Sequence, residues 1–238
     1  MASPLFSTVN RPSVIGHRGA SGHATENSLA AFRIAATPGD PARCDGVELD
    51  LQTTLDGKFV VHHDAALATG ELIAATSLSR VRATALSDGS QVPTLDEALQ
   101  TLAGLTAFVE AKGLPPEGDE PLLALLRGYG LERCAIHAFD HRVIARLRHR
   151  DGDVQLGVLS SSYPIDPVDQ VTRSGATMLW QEAHLIDAAL VAGCGAAGIA
   201  VIAWTVNDAA EAQRLAGLRV DGLCGNWPER LRNRGRAP

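Results

Sequence analysis

The sequence has no long apolar run, no block of basic residues and few aromatic residues, which make up 4% of the chain. A membrane-spanning helix needs about 18 consecutive apolar residues, and no such run occurs. The formal net charge is −6 with both signs interspersed, so we expect no nucleic-acid partner and no stable membrane association. The N-terminal residues do not combine a basic segment with an apolar run, and we therefore expect a cytoplasmic protein with a small-molecule partner.

Cysteine and lysine are also scarce. The four cysteines form no C-x-x-C pair, so we predict four reduced thiols without a zinc ion; they are Cys44, Cys134, Cys194 and Cys224. The only lysines are Lys58 and Lys112. Because the chain otherwise uses arginine, a lysine in a functional position would indicate a need for a compact charge.

One glycine-rich motif carries no function. Residues 193–198 read GCGAAG and match the G-x-G-x-x-G pattern. They follow a segment with helical spacing and precede an apolar strand, whereas a dinucleotide-binding loop needs a strand first and a helix afterwards. We predict a glycine-rich turn between a helix and a strand.

Short apolar runs alternate with segments of helical spacing along almost the whole chain. The strand candidates are residues 13–17, 46–52, 106–112, 134–139, 154–160, 176–180, 199–206 and 220–226. The helix candidates are residues 28–36, 95–104, 120–130, 141–150, 167–175, 185–198, 208–218 and 228–235. This α/β alternation predicts a (β/α)₈ TIM barrel as a single domain over residues 1–238, with a small insertion at about 53–93. A doubly wound sheet uses the same alternation and is the competing architecture.

Acidic residues interrupt two of the predicted strands near their carboxyl ends. In VELDL, alternation puts Glu48 and Asp50 on one face of the strand, and Glu110 lies near the end of the next. Active sites of barrels are built at this end of the strands. Three converging carboxylates suit Mg²⁺ or Ca²⁺ better than zinc, so we predict a metal site.

Histidines and basic residues flank these carboxylates. His17 ends the first predicted strand and is followed by Arg18, while His62 and His63 end the extended piece KFVVHHD. By alternation only one of the latter two faces the site. Two histidines beside a cation can act as an acid and a base. The fork of Arg18 and the point charge of Lys112 suit phosphate oxygens.

These motifs together resemble the glycerophosphodiester phosphodiesterase family. The resemblance rests on five stretches of sequence: GHRGASGHATENSLAAF (16–32), GVELDLQTTLDGKFVVHHD (46–64), FVEAK (108–112), AWTVND (203–208) and VDGLCGNWP (220–228). It implies a (β/α)₈ barrel, a divalent cation and hydrolysis of glycerophosphodiesters to glycerol 3-phosphate and an alcohol.

The resemblance also implies residue roles. It assigns metal binding to Glu48, Asp50 and Glu110, and catalysis to two histidines. Those are His17 and His63, with His62 as a structural neighbour on the opposite face. Arg18, Lys112 and Trp204 match substrate-binding positions, and Glu26 with Asn27 matches a supporting Glu-Asn pair. The chain departs from the family pattern at Thr25, at His137-Ala138-Phe139 in place of Ser-Phe, and at Gly225-Asn226 in place of Thr-Asp.

Several alternatives stay open from the sequence. A related barrel phospholipase D acting on lysophospholipid or sphingomyelin would share the carboxylates and the histidine pair. A metal-dependent lyase or aldolase would explain the carboxylates and basic residues but not the paired histidines. A non-catalytic phosphodiester-binding barrel would have kept the residues and lost turnover. We expect a monomer or homodimer.

Overall fold

The computed structural model describes residues 5–6, 11–102 and 104–232. Within these ranges the strands are β1 (Ser13–His17), β2 (Gly46–Thr53), β3 (Phe59–Val61), β4 (Thr106–Gly113), β5 (Cys134–Ala138), β6 (Gln155–Ser160), β7 (Met178–Glu182), β8 (Ala200–Trp204) and β9 (Gly222–Gly225). The α-helices are α1 (Leu29–Ala36), α2 (Leu78–Arg82), α3 (Leu95–Leu102), α4 (Asp119–Tyr129), α5 (His141–Arg150), α6 (Pro167–Ser174), α7 (Ala188–Ala196), α8 (Ala209–Gly217) and α9 (Pro228–Leu231).

The strands form a closed barrel. They pair in the order β1-β9-β8-β7-β6-β5-β4-β2-β3, and an additional pairing between β1 and β2 closes the sheet. Every pair except β2–β3 is parallel. A doubly wound sheet would have left two edge strands, so closure confirms the predicted (β/α)₈ fold.

The unequal lengths of β1 and β2 explain how the inserted strand joins the barrel. β2 has 8 residues and β1 has 5, so the carboxyl end of β2 extends past its parallel partner. β3 pairs there in antiparallel register, with Leu51 opposite Val61 and Thr53 opposite Phe59. The turn uses Gly57 at a φ of +69°, which glycine adopts without strain. The residues after β3 therefore lie at the mouth of the barrel.

Two apolar layers hold the barrel together. The layer inside it is built from residues on the inward face of the strands, namely Ile15, Phe108, Ala135, Leu159, Met178, Trp180, Ile202 and Cys224. The larger layer packs the helices against the outer face. All four cysteines are buried and free, and burial raises the pKa of Cys44 and of Cys134 to about 12. These two thiols are therefore held in their neutral form, and the absence of a cysteine-bound zinc ion stays a prediction.

The structure corrects one sequence prediction and leaves another partly outside its range. Helix α7 continues through Gly193 and Gly195, so GCGAAG is mostly helical, and the turn is made by Gly198 at a φ of +71°. The ends of the predicted single domain 1–238, and the last helical prediction beyond residue 232, lie outside the described residues. No helix in the described part of the chain is long and apolar enough to cross a membrane.

Candidate active site

The register of the strands brings the predicted site residues to the mouth of the barrel. Asp50 on β2 lies opposite Glu110 on β4, which lies opposite His137 on β5. Glu48, two residues before Asp50, lies opposite His17 on β1. Four ionisable residues here are each less than 10% exposed as whole residues, namely Glu48, Asp50, Glu110 and His137. Four strands thus bring ionisable side chains together in a buried region. Burying a charge there is energetically costly unless the charge has a partner.

These residues fit a divalent cation. Glu48, Glu110 and His137 each offer a ligand atom, and the three atoms lie within 4.8 Å of one another. Glu48 Oε1 and Asp50 Oδ1 are buried and have no hydrogen-bond partner among the described residues. A buried carboxylate oxygen without a partner is costly, and a bound cation would satisfy both oxygens.

The pKa values reflect the crowding of carboxylates. Burial, followed by the charges of Asp50 and Glu110, raises the pKa of Glu48 well above its usual value. Burial and the charge of Asp50 raise the pKa of Glu110 to about 7. Burial alone would also raise the pKa of Asp50, but the charges of Arg18 and Lys112 outweigh it and hold that pKa below its usual value. Asp50 is therefore stabilised in its ionised form, whereas burial and neighbouring carboxylates favour the protonated forms of Glu48 and Glu110.

Arg18 and Lys112 compensate part of the negative charge. Arg18 Nε lies 3.1 Å from Asp50 Oδ2, and Lys112 Nζ lies 2.8 Å from Glu110 Oε1 and 3.4 Å from Asp50 Oδ1. The backbone N–H of Arg18, at a φ of +56°, donates to Glu48 Oε2 at 3.0 Å. In this arrangement the two predicted phosphate-binding residues bridge the carboxylates.

Glu26 positions Arg18, and Asn27 positions Asp50. Arg18 Nη1 donates to both carboxylate oxygens of Glu26, at 2.8 and 2.9 Å. Asn27 Nδ2 donates to Asp50 Oδ2 at 2.8 Å, and the backbone N–H of Asn27 donates to the carbonyl of Arg18 at 3.0 Å. The Glu-Asn pair thus lies beside the predicted site residues and contacts two of them.

The tautomer of His17 is set by Asn226, which follows β9. Their side chains lie 2.6 Å apart, from His17 Nδ1 to Asn226 Oδ1. The amide oxygen only accepts hydrogen bonds, so His17 Nδ1 carries the proton and Nε2 keeps its lone pair. Burial and the neighbouring charge of Arg18 lower the pKa of His17. The ring is a neutral base whose free nitrogen is Nε2.

The neighbouring histidines His62 and His63 lie after β3, at the rim of the barrel mouth. The backbone N–H of His62 donates to the carbonyl of Asp50 at 2.9 Å, which ties this segment to β2. His63 Nδ1 lies 2.8 Å from Asp64 Oδ1, whereas His62 Nδ1 lies 3.0 Å from the carbonyl oxygen of Asp64. His63 lies near enough to Asp50 that a positive charge on its ring would lower the pKa of that carboxylate. The assignment of His63, and not His62, to the site stays a prediction that this electrostatic contact supports.

Trp204 lies on the opposite side of the mouth, at the end of β8. Its ring contacts Phe139 edge to face, with 5.6 Å between the ring centroids. Trp204 Nε1 is buried without a hydrogen-bond partner in the part of the chain that the structure describes. Lys112 Nζ lies 6.0 Å from the centroid of Phe139. This aromatic pair gives the site an apolar wall with one free donor.

Two residues of the site were not predicted from the sequence. His137 and Asn226 stood out only as departures from the family pattern. His137 follows the same rule that identified Glu110, because both are polar residues near the carboxyl end of a buried strand. Asn226 gave no comparable signal, since its contact with His17 joins the first and the last strand of the barrel.

The stabilisation of the protein by Mg²⁺ or Ca²⁺ is expected to grow from about pH 5 to about pH 8, because metal ligands must be deprotonated. Glu110 has a pKa of about 7, and the pKa of Glu48 is also raised. Below these values a cation displaces protons, so its apparent affinity should rise up to about tenfold per pH unit for each proton displaced. Thermal unfolding with and without the cation measures this, and a gain independent of pH would contradict it.

The sequence is similar to those of known proteins over almost its whole length. A model of the glycerophosphoryl diester phosphodiesterase family matches residues 17–230. A glycerophosphodiester phosphodiesterase of Caldanaerobacter subterraneus subsp. tengcongensis is 30% identical over an alignment of 237 residues. The alignment covers 92% of this chain and 96% of the relative. The match thus includes every predicted site residue, from His17 to Trp204.

Solved structures share the fold. A phosphodiesterase of Oleispira antarctica, solved in complex with the product sn-glycerol-3-phosphate, has a TM-score of 0.83 at 25% identity, covering 93% of this chain and 95% of that one. A glycerophosphodiester phosphodiesterase of Parabacteroides distasonis has a TM-score of 0.82 at 20% identity, covering 93% and 95%; this second likeness concerns the fold alone. On the match over residues 17–230, the chain belongs to the glycerophosphoryl diester phosphodiesterase family.

Proposed function

We propose that the protein hydrolyses glycerophosphodiesters to glycerol 3-phosphate and an alcohol with the help of a divalent cation. One observation carries this proposal: buried carboxylates from β2 and β4 meet a neutral histidine and two basic side chains at the mouth of a closed barrel. Family membership and the product bound to the Oleispira antarctica phosphodiesterase support the choice of substrate. A cytoplasmic location and a monomer or homodimer stay predictions from the sequence.

In this proposal Glu48, Asp50 and Glu110 hold the cation, which the oxygen ligands suggest is Mg²⁺ or Ca²⁺. When bound, it would polarise the phosphoryl group and offset the charge that develops there. The oxygens Glu48 Oε1 and Asp50 Oδ1, which accept no hydrogen bond from the described residues, support this assignment. The salt bridges of Arg18 and Lys112 with the same carboxylates would then weaken, so both basic groups become available to the non-bridging phosphate oxygens.

His17 acts as the general base in our scheme. Its Nε2 takes a proton from the nucleophile, either water or the neighbouring glycerol hydroxyl on a route through a cyclic phosphate. His63 gives a proton to the alcohol oxygen as the phosphorus–oxygen bond to that alcohol breaks. Asp64 orients the ring of His63 through the contact at Nδ1. Trp204 packs against the glycerol moiety and uses its free indole N–H to hold it.

Replacing Asn226 with Asp is expected to move the acidic limb of the kcat/KM profile to higher pH by about one unit, because a carboxylate stabilises the imidazolium. The pKa of His17 now lies below its ordinary value of 6.5, so the base stays neutral in mildly acidic solution. A raised pKa protonates His17 at higher pH and removes the base there. Asn226→Ala is the control: it loses the hydrogen bond without adding charge, so turnover falls without that upward shift. The profile is recorded at saturating Mg²⁺, so that protonation of Glu48 and Glu110 does not set the acidic limb. An unmoved limb in Asn226→Asp would then rule out His17 as the base.

A lysophospholipid-directed phospholipase D is the second candidate. Apolar side chains after β5 and β6 are exposed at the barrel mouth: Phe139 is 47% exposed, Tyr163 43%, and Ile165 fully. Such a rim would suit an acyl chain next to the phosphodiester. The proposed chemistry at phosphorus would be the same, and only the group beyond the glycerol would differ.

A panel of diesters separates these candidates. Glycerophosphocholine, glycerophosphoethanolamine and lysophosphatidylcholine would each be incubated with Mg²⁺ or Ca²⁺, and the phosphorus-containing product identified by ³¹P NMR. We expect glycerol 3-phosphate from the first two. Turnover of lysophosphatidylcholine alone would favour the phospholipase D, and turnover of none would leave the non-catalytic binder.

A further inference from the structure

His137 is a buried polar residue at the barrel mouth that the proposed mechanism does not use. The residue is 1% exposed, and its Nδ1 has no hydrogen-bond partner among the described residues. A buried polar atom without a hydrogen bond destabilises the folded protein by about 1–3 kcal/mol. A neutral imidazole keeps a lone pair on one of its two ring nitrogens, and that nitrogen can bind a metal ion.

The position of His137 brings a nitrogen to the carboxylates. It lies on β5 opposite Glu110 of β4. One of its ring nitrogens lies within 4.8 Å of a carboxylate oxygen of Glu48 and of one of Glu110. Atoms bound to one cation at about 2.0–2.2 Å are separated by no more than about twice that length. The two carboxylates and the imidazole therefore need only small side-chain movements to share one ion.

The imidazole ring is held rigidly in place by Trp180. The two rings stack with their centroids 4.1 Å apart and an interplanar angle of 5°. The close stack depends on Gly157 of β6, where a Cβ atom would lie 2.9 Å from Trp180 Cδ1 and 3.3 Å from His137 Cβ. A fixed ring loses little entropy when it binds an ion, so the site is preorganised.

We propose that His137 is a direct nitrogen ligand of the cation held by Glu48 and Glu110, and that it makes this site bind Mn²⁺ or Co²⁺ more tightly than Mg²⁺ or Ca²⁺. Imidazole suits transition metals, whereas Mg²⁺ and Ca²⁺ bind oxygen ligands. The inference rests on the proposed function only in using the same cation site. It adds a ligand that the predicted all-carboxylate set lacks.

The test is spectroscopic and uses no substrate. Mn²⁺ is added to the metal-free full-length protein, and electron spin-echo modulation from ¹⁴N is recorded. We expect modulation from one coordinated imidazole nitrogen in the wild-type protein and in His17→Ala, and none in His137→Ser. Absence of modulation in wild type, absence of Mn²⁺ binding, or retention of the modulation in His137→Ser would overturn the proposal.

Affinities provide the second measurement. We expect His137→Ser to weaken Mn²⁺ binding by at least about tenfold, since losing even an outer partner of a metal ligand costs roughly 10–100-fold. Mg²⁺ binding should change far less, and an equal loss for both ions would contradict the nitrogen ligand. If His137→Ser does not fold, the proposal is tested by the spectra of the wild-type protein and of His17→Ala, both of which should show the nitrogen modulation. Nitrogen coordination without hydrolysis of any diester would refute the proposed function and leave this inference standing, whereas hydrolysis without nitrogen coordination would do the reverse.

Discussion

Replacing Glu48 with Gln is expected to lower kcat/KM on glycerophosphocholine by more than about 100-fold. The amide is a poorer ligand for a hard cation, and the charge stabilisation that a bound metal supplies is worth several kcal/mol, with about 1.4 kcal/mol for each factor of ten. Initial rates of glycerol 3-phosphate release over a range of Mg²⁺ concentrations measure the effect. Higher Mg²⁺ should restore only part of the rate if the ligand is lost.

Thermal unfolding distinguishes loss of a metal ligand from damage to the fold. Because the pKa of Glu48 is raised by burial and by the nearby carboxylates, its ionised form destabilises the metal-free protein at neutral and higher pH. Metal-free Glu48→Gln should therefore unfold at a higher temperature than metal-free wild type, yet gain less from Mg²⁺. Glu132→Gln is the matched control, an exposed carboxylate before β5 at the opposite end of the barrel. Wild-type activity in Glu48→Gln would exclude Glu48 from the cation site.

His17→Ala and His63→Ala are each expected to lower kcat by about 100-fold or more, the usual scale for loss of a general acid or base. The two losses should differ in their rescue. Added imidazole should restore part of the rate of His17→Ala at a pH where imidazole is neutral, because that variant lacks the base. Stopped assays of glycerol 3-phosphate over a series of imidazole concentrations test this.

His62→Ala is the matched control for His63. The two neighbours share the segment after β3 but contact Asp64 differently, and only His63 is assigned to catalysis. His62→Ala should keep turnover within a few-fold of wild type. A larger loss in His62→Ala than in His63→Ala would reverse the assignment of the two histidines.

The fold could be predicted from the sequence because parallel strands that are buried on both faces have short, continuous apolar sequences. The bounds of β1 and α5 match the predicted runs 13–17 and 141–150. Closure was harder to predict, since the same alternation suits a doubly wound sheet. It depends on the pairing of β1 with β9, in which Val14 lies opposite Leu223, a contact between the first and the last strand of the barrel.

The site could be predicted where a local pattern was broken. Glu48, Asp50 and Glu110 interrupt apolar strands, so their common face was visible from alternation alone. Asn226 and His137 became meaningful only through partners on distant strands, His17 for the first and Trp180 for the second. Alternation assigns a face to a residue, but it does not identify the side chain that it meets across the barrel.

The most direct test of the account is glycerol 3-phosphate release from glycerophosphocholine by one protein sample in three states. The protein is assayed as loaded with Mg²⁺, after removal of the cation with a chelator, and after the cation is added back. We predict turnover in the first state, its loss in the second and its return in the third. Undiminished release in the fully chelated protein would contradict a function that depends on the carboxylates at the barrel mouth.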